Sequence, residues 1–326
     1  MTEAVLVSGG AGYIGAQTCK SLVQAGYLPV TLDSLVTGYE KAVQWGPFVK
    51  ADLRDREAIL TAIKTYDIKA CIHFAAFSLV GESTRDPAKY YDNNVGAAVA
   101  FASTLIEGGV ASIVFSSTAA AYGLPQMTPI PETHPLAPIN PYGGSKIAFE
   151  QALYWLSQAH PLKYTVLRYF NAAGADLDGE IGESHVPETH LIPLICQAAY
   201  GTGKPLTVFG RDYDTKDGTC IRDYIHVVDL AVAHVMSIKR LLAGGDSRTF
   251  NVGTGEGVTV MEMLNAAERI LERPVPYSFG PRRDGDPTAL VADVSRIKAE
   301  LGWQARHSDL DTLIRTAARW QAHKLY

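Results

Sequence analysis

A glycine-rich turn between an apolar segment and a helical segment constrains this chain most strongly. Residues 4–8 read Ala-Val-Leu-Val-Ser, and residues 9–15 read Gly-Gly-Ala-Gly-Tyr-Ile-Gly. Glycines permit a tight strand-to-helix turn and a close backbone approach by a pyrophosphate, and the start of the helix then offers free N–H groups. The spacing fits both G-x-G-x-x-G and G-x-x-G-x-x-G, and it predicts a βαβ unit that binds a dinucleotide.

Apolar segments and helical patterns alternate through the first half of the chain. The predicted strands cover residues 4–7, 29–33, 48–51, 70–74, 112–116 and 165–169, and the predicted helices cover residues 14–25, 56–66, 90–107 and 145–159. Such alternation indicates βαβ units, and strands that are apolar throughout are typical of a sheet buried on both faces. The sequence therefore predicts an α/β fold with a Rossmann-type, doubly wound parallel sheet.

The composition changes after residue 173. A stretch rich in Gly, Asp, Glu and Pro leads into shorter elements, predicted as helices at residues 191–200, 228–242, 260–271, 294–301 and 310–324 and strands at residues 206–209 and 249–252. We expect a dinucleotide-binding domain over residues 1–173, with a segment near residues 225–253 returning to its sheet. Residues 174–326 are expected to form a smaller, substrate-binding domain.

Charge and hydropathy narrow the range of partners. The 326 residues carry a formal net charge of −5 without a basic block, which argues against a nucleic-acid or membrane-surface partner. No apolar segment is long enough to span a bilayer, and no secretory leader precedes the first strand, so we expect a cytoplasmic protein. The cysteines lack metal-ligand spacing, so we expect neither a disulfide nor a metal site; they are Cys19, Cys71, Cys196 and Cys220.

Two acidic residues follow the second and third predicted strands. Asp33 lies near the distance from the glycine turn at which a carboxylate binds the adenosine ribose, and it would repel a 2′-phosphate. No arginine follows before Arg54, so we expect NAD rather than NADP. Asp52 is placed either to accept a hydrogen bond from the adenine amino group or to cap the next helix.

A tyrosine and a lysine lie four residues apart near the start of the helix predicted at residues 145–159. Tyr142 and Lys146 share one helical face and follow a Ser-Ser-Thr sequence, residues 116–118, at the end of a predicted strand. A tyrosine pKa of about 10 is too high for a base at neutral pH, but a nearby ammonium and a positively charged nicotinamide would both lower it. The pattern predicts proton transfer by Tyr142 together with hydride transfer to a nicotinamide.

These motifs resemble the extended short-chain dehydrogenase/reductases, and most of all the UDP-glucose (UDP-galactose) 4-epimerases, along essentially the whole chain. The shared segments are Gly-Gly-Ala-Gly-Tyr-Ile-Gly at 9–15, His-Phe-Ala-Ala at 73–76, Tyr-Tyr-Asp-Asn-Asn-Val at 90–95, Pro-Tyr-Gly-Gly-Ser-Lys at 141–146, Arg-Tyr-Phe-Asn at 168–171, Arg-Asp-Tyr-Ile-His-Val at 222–227 and Pro-Arg-Arg-Asp-Gly-Asp at 281–286. The resemblance implies an isomerase of galactose and carbohydrate metabolism. It would interconvert UDP-glucose and UDP-galactose through a 4-keto sugar with bound NAD, as a homodimer formed by helices 90–107 and 145–159.

The resemblance also implies roles for individual residues. Tyr142 would be the acid/base, Lys146 would tune it and Thr118 would hydrogen-bond the sugar O4. The expected NAD-binding residues are Gly9, Gly12, Tyr13, Ile14, Gly15, Asp33, Ser34, Thr37, Asp52, Leu53, Phe74, Ala75, Ala76, Ser78, Asn93, Ser116, Tyr142, Lys146, Tyr169 and Phe170. The expected substrate-binding residues are Thr118, Tyr142, Asn171, His190, Leu191, Thr207, Val208, Phe209, Arg222, Arg283, Asp286 and Leu290.

On the substrate side, the resemblance implies that the two arginines hold the diphosphate, that residues 207–209 line the uracil and that Asp286 binds the uridine ribose. Leu290 would border the C2 substituent of the sugar and favour UDP-glucose and UDP-galactose over the N-acetylated pair. Three positions depart from the family pattern. Ser78 and Gly144 replace lysines found in many members, and His190 replaces an asparagine. We expect His226 to be structural.

Other functions compete with this interpretation. A 4-epimerase for another UDP-sugar (UDP-xylose/UDP-arabinose or UDP-GlcNAc/UDP-GalNAc) would use the same residues. A nucleotide-sugar 4,6-dehydratase, or a UDP-glucuronate decarboxylase, would need acidic residues after Thr118, where residues 119–121 are alanines. An NAD-binding redox sensor without turnover would not need Thr118, Tyr142 and Lys146 together.

Overall fold

The computed structural model describes residues 2–283 and 285–326, with a sheet of seven strands at its centre. The strands, in chain order, are β1 (Ala4–Ser8), β2 (Leu28–Asp33), β3 (Phe48–Lys50), β4 (Ile68–His73), β5 (Ser112–Ser116), β6 (Lys163–Tyr169), β7 (Asn171–Ala173), β8 (Leu206–Phe209), β9 (Ile221–Arg222), β10 (Tyr224–His226), β11 (Arg248–Val252), β12 (Val258–Thr259), β13 (Tyr277–Gly280) and β14 (Ala289–Leu290). The central sheet has the order β11-β6-β5-β4-β1-β2-β3, and its neighbouring pairs are all parallel. This arrangement confirms the predicted Rossmann-type sheet.

The strand order reverses between β1 and β4. The chain places β2 and β3 on one side of β1 and then returns to place β4 on the other side. In a parallel sheet the carboxyl ends of the strands meet at one edge, and a crevice opens where the order reverses. The backbones approach closely there: a Cβ atom on Gly9, after β1, would lie 2.6 Å from the nitrogen of Ala75, after β4.

Helices cover both faces of the central sheet. In chain order they are α1 (Tyr13–Gln24), α2 (Arg56–Tyr66), α3 (Val80–Arg85), α4 (Pro87–Tyr91), α5 (Ala98–Glu107), α6 (Pro141–Ala159), α7 (Leu191–Tyr200), α8 (Val227–Leu242), α9 (Val260–Leu271), α10 (Ser295–Leu301) and α11 (Leu310–Ala322), with 3₁₀ turns at Glu40–Ala42 and Ala119–Tyr122. On one face α1 packs against α8, and on the other α5 packs against α2 and α6. Within residues 2–283 and 285–326, no helix is long and apolar enough to cross a membrane.

The central strand β1 is buried on both faces. Val5 and Val7 belong to one apolar cluster, which includes Leu22 of α1. Leu6 points to the opposite face, in a second cluster that includes Phe101 of α5. An uninterrupted apolar sequence is therefore required here, which explains why the strands of this half could be predicted.

The C-terminal region has a core of its own. Residues of α7, α9 and α11 form a third apolar cluster, with Ile195, Met263 and Leu313 among its buried members. Short strands connect this region to the site: β13 pairs with β8, and β9 lies between β12 and β14. The strand β11, near residue 250, joins the edge of the central sheet beside β6.

Two helices that carry predicted site residues differ from the prediction. The helix predicted at residues 90–107 begins at Pro87 and contains a π-helical turn at Asp92–Ala97, a change of period that an apolar pattern does not reveal. Helix α6 begins at Pro141 rather than residue 145, because the Asn140 side chain caps it by accepting a hydrogen bond from the Gly143 nitrogen. Tyr142 and Lys146 therefore lie in the first two turns of α6.

A buried ion pair joins α6 to β6. Arg168 Nη2 lies 2.5 Å from Glu150 Oε2, and the two side chains are only 7% and 8% exposed. The Ser117 hydroxyl, directly after β5, donates a hydrogen bond to Glu150 Oε1 at 2.5 Å. Arg168 Nη1 also donates to the Tyr122 hydroxyl at 3.2 Å. The pair thus fixes the helix of Tyr142 and Lys146 relative to the ends of β5 and β6.

Arg168→Met should lower the free energy of unfolding by about 3–5 kcal/mol, because it leaves the Glu150 carboxylate buried without its cation. Arg269→Met is the matched control. Arg269 pairs with Asp311 at the surface, where the side chains are 61% and 43% exposed, and its loss should cost less than about 1 kcal/mol. Urea unfolding followed by circular dichroism measures both, and equal losses would contradict the role given to the buried pair.

Candidate functional site

A cavity of about 1300 Å³ opens at the carboxyl edge of the central sheet. The glycine turn after β1 and Asp33 of β2 line one part of it, and Arg283 and Leu290 from the C-terminal region line another. The predicted catalytic residues also line this cavity; they are Thr118, Tyr142 and Lys146. One cavity therefore brings together the groups that the sequence predicts for a dinucleotide, for proton transfer and for a substrate.

The glycine turn leaves no room for side chains. Gly9 has a φ of +77°, which favours glycine, and a Cβ atom on Gly15 would lie 2.1 Å from the Gly9 carbonyl oxygen. Helix α1 follows Gly12, which has no side chain to cap the N–H groups of the first turn. Uncapped N–H groups at a helix start bind phosphates. The turn therefore fits the pyrophosphate of a dinucleotide.

Asp33 is held by the same turn. Its Oδ2 accepts a hydrogen bond from the Ala11 nitrogen at 3.0 Å, and its Oδ1 accepts one from the Leu35 nitrogen at 2.8 Å. Burial raises the pKa of Asp33, although these two bonds oppose the change. Each oxygen retains a lone pair for a ribose hydroxyl, so the carboxylate fits NAD and opposes a 2′-phosphate.

The predicted cofactor residues lie around the cavity with one exception. Those that line it are Gly9, Gly12, Tyr13, Ile14, Gly15, Asp33, Ser34, Thr37, Asp52, Leu53, Phe74, Ala75, Ala76, Ser78, Asn93, Tyr142, Lys146, Tyr169 and Phe170. Ser116 is buried behind the wall, where its carbonyl oxygen accepts a hydrogen bond from Lys146 Nζ at 2.9 Å. The alternative that Asp52 caps the next helix is wrong, because Asp55 caps α2.

The π-helical turn at Asp92–Ala97 presents two adjacent asparagines differently. Asn93 lines the cavity, whereas Asn94 is buried and clamps the backbone of Phe77. Asn94 Oδ1 accepts from the Phe77 nitrogen, and its Nδ2 donates to the Phe77 oxygen, both at 2.9 Å. Asn94 Nδ2 also lies 3.2 Å from the hydroxyl of Ser145 in α6. Asn94 thus positions the segment after β4 against the helix of Tyr142.

The three predicted catalytic residues are packed together behind the cavity surface. The Thr118 hydroxyl oxygen accepts a hydrogen bond from the Ala120 nitrogen at 3.1 Å, so its proton remains available to another acceptor. Lys146 Nζ lies 6.0 Å from the centre of the Tyr142 ring. Thr118 and Tyr142 therefore both contribute hydroxyl-bearing side chains to the wall of the cavity.

Burial shifts the pKa values of both Tyr142 and Lys146. Burial raises the pKa of the Tyr142 hydroxyl, and Tyr169 adds to the rise. Burial also lowers the pKa of the Lys146 ammonium to about 7, against an opposing effect of Glu150. The prediction that an ammonium and a positively charged nicotinamide together lower the Tyr142 pKa therefore stays a prediction, because it includes the charge of the cofactor. A further positive charge at this position is needed to favour the phenolate.

The predicted substrate residues divide into two sets. Those that line the cavity are Thr118, Tyr142, Asn171, His190, Leu191, Arg283, Asp286 and Leu290. Those that do not line it are Thr207, Val208, Phe209 and Arg222. The second set lies directly behind the first: the guanidinium carbon of Arg283 is 4.0 Å from the centre of the Phe209 ring, and Arg222 pairs with Asp286.

Arg222 is engaged with the protein in this structure. Besides its ion pair with Asp286, its Nη1 donates to the carbonyl oxygens of Ile221 at 2.7 Å and Pro287 at 2.9 Å. The sequence predicted separate ligands for Arg222 and Asp286, but the fold pairs them with each other. His226 is buried away from the cavity, where Nδ1 accepts from the Val228 nitrogen at 3.2 Å. That contact agrees with the predicted structural role.

The sequence analysis missed a histidine and glutamate cluster in the cavity wall. Glu183 and His185 line the cavity beside His190, and Glu188 lies against them. Burial would raise the pKa of Glu183, but the two histidines lower it to about 2. Burial would lower the pKa of His185, but Glu183 and Glu188 raise it to about 10. The signal was present in the spacing of Glu and His within residues 183–190, in a stretch interpreted only as an irregular connection.

Comparisons with known proteins agree with this geometry. The family model described as NAD dependent epimerase/dehydratase family matches residues 5–253. A UDP-glucose 4-epimerase from Lacticaseibacillus casei is 48% identical over 321 residues, which cover 98% of this chain and 96% of that protein. The crystal structure of a UDP-glucose 4-epimerase from Brucella ovis in complex with NAD has a TM-score of 0.95 and 48% identity, over 97% of this chain and 98% of the other. A UDP-glucose 4-epimerase from Stenotrophomonas maltophila, with bound NAD and formylated UDP-arabinopyranose, has a TM-score of 0.95 and 41% identity, over 98% of both chains.

In protein freed of nucleotide, the Lys146 ammonium should titrate with a midpoint of about 7, because burial disfavours its charged form. The unfolded chain then binds more protons than the folded one between pH 7 and about 10.4, so the contribution of this lysine to stability rises with pH across that window. NMR of protein labelled with ¹³C at lysine Cε measures the midpoint, and Lys146→Arg identifies the resonance. A midpoint near the ordinary lysine value would contradict the assignment.

Proposed function

The chain belongs to the NAD dependent epimerase/dehydratase family, and from that premise we propose that it is an NAD-dependent UDP-glucose 4-epimerase. It interconverts UDP-glucose and UDP-galactose by reversible oxidation at C4. The observation that carries this proposal is the placement of Thr118, Tyr142 and Lys146 in the wall of the cavity that also contains the glycine turn. A hydroxyl donor, a tyrosine and a buried cation are the groups that alcohol oxidation by hydride transfer requires.

The cofactor is held by the first half of the chain. The glycine turn and the start of α1 would hold the pyrophosphate, Asp33 would hold the adenosine ribose, and Tyr169 and Asn93, which also line the cavity, would hold the nicotinamide half. The chemistry that NAD supplies when bound is reversible hydride acceptance from the sugar C4, together with a positive charge beside Tyr142. Because the hydride returns to the same carbon, the cycle requires no exchange of cofactor.

Tyr142 Oη moves the proton. It accepts the proton of the C4 hydroxyl as the C4–H bond breaks, and it returns that proton when the 4-keto sugar is reduced from its other face. The Thr118 hydroxyl, whose oxygen already accepts from the Ala120 nitrogen, donates to the sugar O4 and orients it. Lys146 is fixed by the Ser116 carbonyl oxygen and acts beside Tyr142. To give either epimer at C4, the 4-keto sugar must turn within the cavity before it is reduced. The cavity volume of about 1300 Å³ provides the room for this rotation.

The residues after Thr118 favour epimerisation over elimination. Ala119 and Ala120 line the cavity in the 3₁₀ turn that follows Thr118, and neither can transfer a proton. A 4,6-dehydratase needs an acid and a base at this position to remove water across C5–C6. The redox-sensor alternative gives no reason for a tyrosine, a lysine and a threonine to share the same wall.

We assign the substrate nucleotide to the C-terminal region. Two arginines among the described residues line the cavity, Arg85 and Arg283, and Arg283 is the one from the C-terminal region. Its position over the Phe209 ring orients its guanidinium for the diphosphate. Arg222 is placed to hold Asp286, whose second oxygen is left for the uridine ribose. This assignment divides the chain into a cofactor domain, residues 1–173 with a return segment near residues 225–253 that contributes β11 to its sheet, and a nucleotide-sugar domain formed by the rest of residues 174–326.

Two further proposals concern the oligomeric state of the protein and its location in the cell. A homodimer formed by the helical segment 87–107 and α6 is supported by exposed aromatic side chains on α6, where Tyr154 is 47% and Trp155 is 68% exposed. Sedimentation equilibrium of wild type and Trp155→Glu tests it, and a monomeric wild type would contradict it. We also propose a cytoplasmic location, which the formal net charge of −5 is consistent with and which fractionation of the source cells tests.

Tyr142→Phe should reduce kcat at least ~100-fold, the usual size of a general acid–base contribution, with UDP-sugar binding largely retained. Tyr91→Phe is the matched control, since Tyr91 is exposed and does not line the cavity, and it should leave kcat near the wild-type value. Coupled assays of UDP-glucose formation and calorimetry with UDP measure the two quantities. Near-normal kcat in the Tyr142→Phe enzyme would remove the proposed mechanism.

Leu290→Ala should narrow the preference for UDP-glucose and UDP-galactose over their N-acetylated counterparts. Leu290 lines the cavity and fills volume beside the expected C2 substituent without offering a hydrogen bond, a misfit worth about 10–200-fold in kcat/KM. Val291→Ala is the control, because Val291 is buried and does not line the cavity; it should affect all substrates alike. An unchanged ratio of kcat/KM values in Leu290→Ala would contradict the assignment.

A further inference from the structure

Four potential metal ligands converge in the segment before α7. Glu183, His185, Glu188 and His190 each offer one ligand atom, and these atoms all lie within 4.8 Å of one another. His185 Nδ1 is 3.3 Å from Glu183 Oε1 and 3.8 Å from Glu188 Oε1, and His190 Nδ1 is 4.0 Å from Glu188 Oε1. Ligand atoms around tetrahedral zinc are separated by about 3.3 Å, given bonds of about 2.0–2.1 Å. His190 Nδ1 and Glu183 Oε1 are in direct contact, so these two atoms would move apart, and the others would shift slightly, to complete a coordination shell.

The cluster contains buried polar atoms without partners. Glu188 is only 6% exposed as a side chain, and its Oε2 has no hydrogen bond within the described part of the chain. His185 Nδ1 is also buried and makes no hydrogen bond to a described residue. Buried polar atoms are normally satisfied, so these two atoms indicate a missing partner at the cluster.

The charges match a divalent cation. Glu183 and Glu188 carry two negative charges, which protonated His185 and His190 balance in the metal-free protein. A divalent ion would displace both imidazole protons and balance the two carboxylates in their place. A nearby acidic group, Asp176, Asp178 and Glu180, differs because Lys20 Nζ already occupies its centre at 2.6–2.8 Å from each carboxylate. The buried free cysteines belong to neither group.

We propose that Glu183, His185, Glu188 and His190 bind a divalent transition-metal ion, with zinc as the best match to two nitrogen and two oxygen donors. The ion would tie the cavity wall at Glu183 to the start of α7, which follows His190. It would also occupy the His190 nitrogen that faces the cluster, so His190 would shape the substrate side of the cavity through the metal. The sequence analysis expected no metal site because it considered only cysteine spacing.

Zinc titration of the full chain tests the site without using catalysis. Purified protein, with its resident nucleotide, is treated with a chelator, transferred to metal-free buffer and titrated with ZnCl₂ by calorimetry in the absence of UDP-sugar. We expect one zinc ion per chain, no comparable binding of Mg²⁺, and an X-ray absorption spectrum with nitrogen and oxygen neighbours only. The outcome is independent of the proposed epimerase activity, because no substrate is present.

Single substitutions locate the ion. His185→Gln and Glu188→Gln, neither of which we place in the catalytic or substrate-binding machinery, should each raise the Kd for zinc at least about 10-fold. His160→Gln is the matched control, because His160 is an exposed histidine at the end of α6, and its Kd should equal that of wild type. Wild-type protein that is folded by circular dichroism but binds no stoichiometric zinc would overturn the proposal. So would a spectrum with sulfur neighbours, or an unchanged Kd in both folded cluster variants.

Discussion

The buried pair of Glu150 and Arg168 is the interaction on which the site depends. It crosses from α6 to β6, and through Ser117 it reaches the residue after β5. A buried ion pair is costly to form and still more costly to break, so α6 has one favourable position relative to the sheet. Tyr142 and Lys146 lie in the first turns of that helix. Their distance from Thr118 is therefore set by a contact two turns away from the reacting groups.

The sheet supplies the second constraint. Because its strands are parallel and covered by helices on both faces, their carboxyl ends meet at one edge, where the strand order reverses between β1 and β4. The glycine turn after β1, Asp33 at the end of β2 and Thr118 shortly after β5 are separate in sequence but lie at the same edge. The C-terminal region then closes this edge with Arg283 and Leu290, so the residues expected to bind the cofactor and those expected to bind the sugar nucleotide line one cavity.

The sequence alone was sufficient to predict the site residues whose roles follow from their spacing along the chain. The Gly9–Gly15 turn, Asp33 and the Tyr142–Lys146 pair could be predicted because each depends on residues close together in sequence or at a fixed distance from a strand. The π-helical turn around Asn93, the ion pair of Arg222 with Asp286 and the cluster around Glu183 could not. They depend on contacts between distant segments, and apolar periodicity carries no information about them. The extent to which burial raises the pKa of Tyr142 could not be predicted either, because the degree of burial is a tertiary property.

The central claim is that the chain oxidises and reduces C4 of a UDP-hexose without exchange of that hydrogen with water. The most direct measurement uses UDP-galactose carrying deuterium at C4, incubated with the purified protein in ordinary water without added NAD and followed by NMR. The account predicts that UDP-glucose forms with deuterium retained at C4, because the hydride leaves and returns to the same carbon. Loss of the deuterium to solvent, or failure to form UDP-glucose, would contradict it.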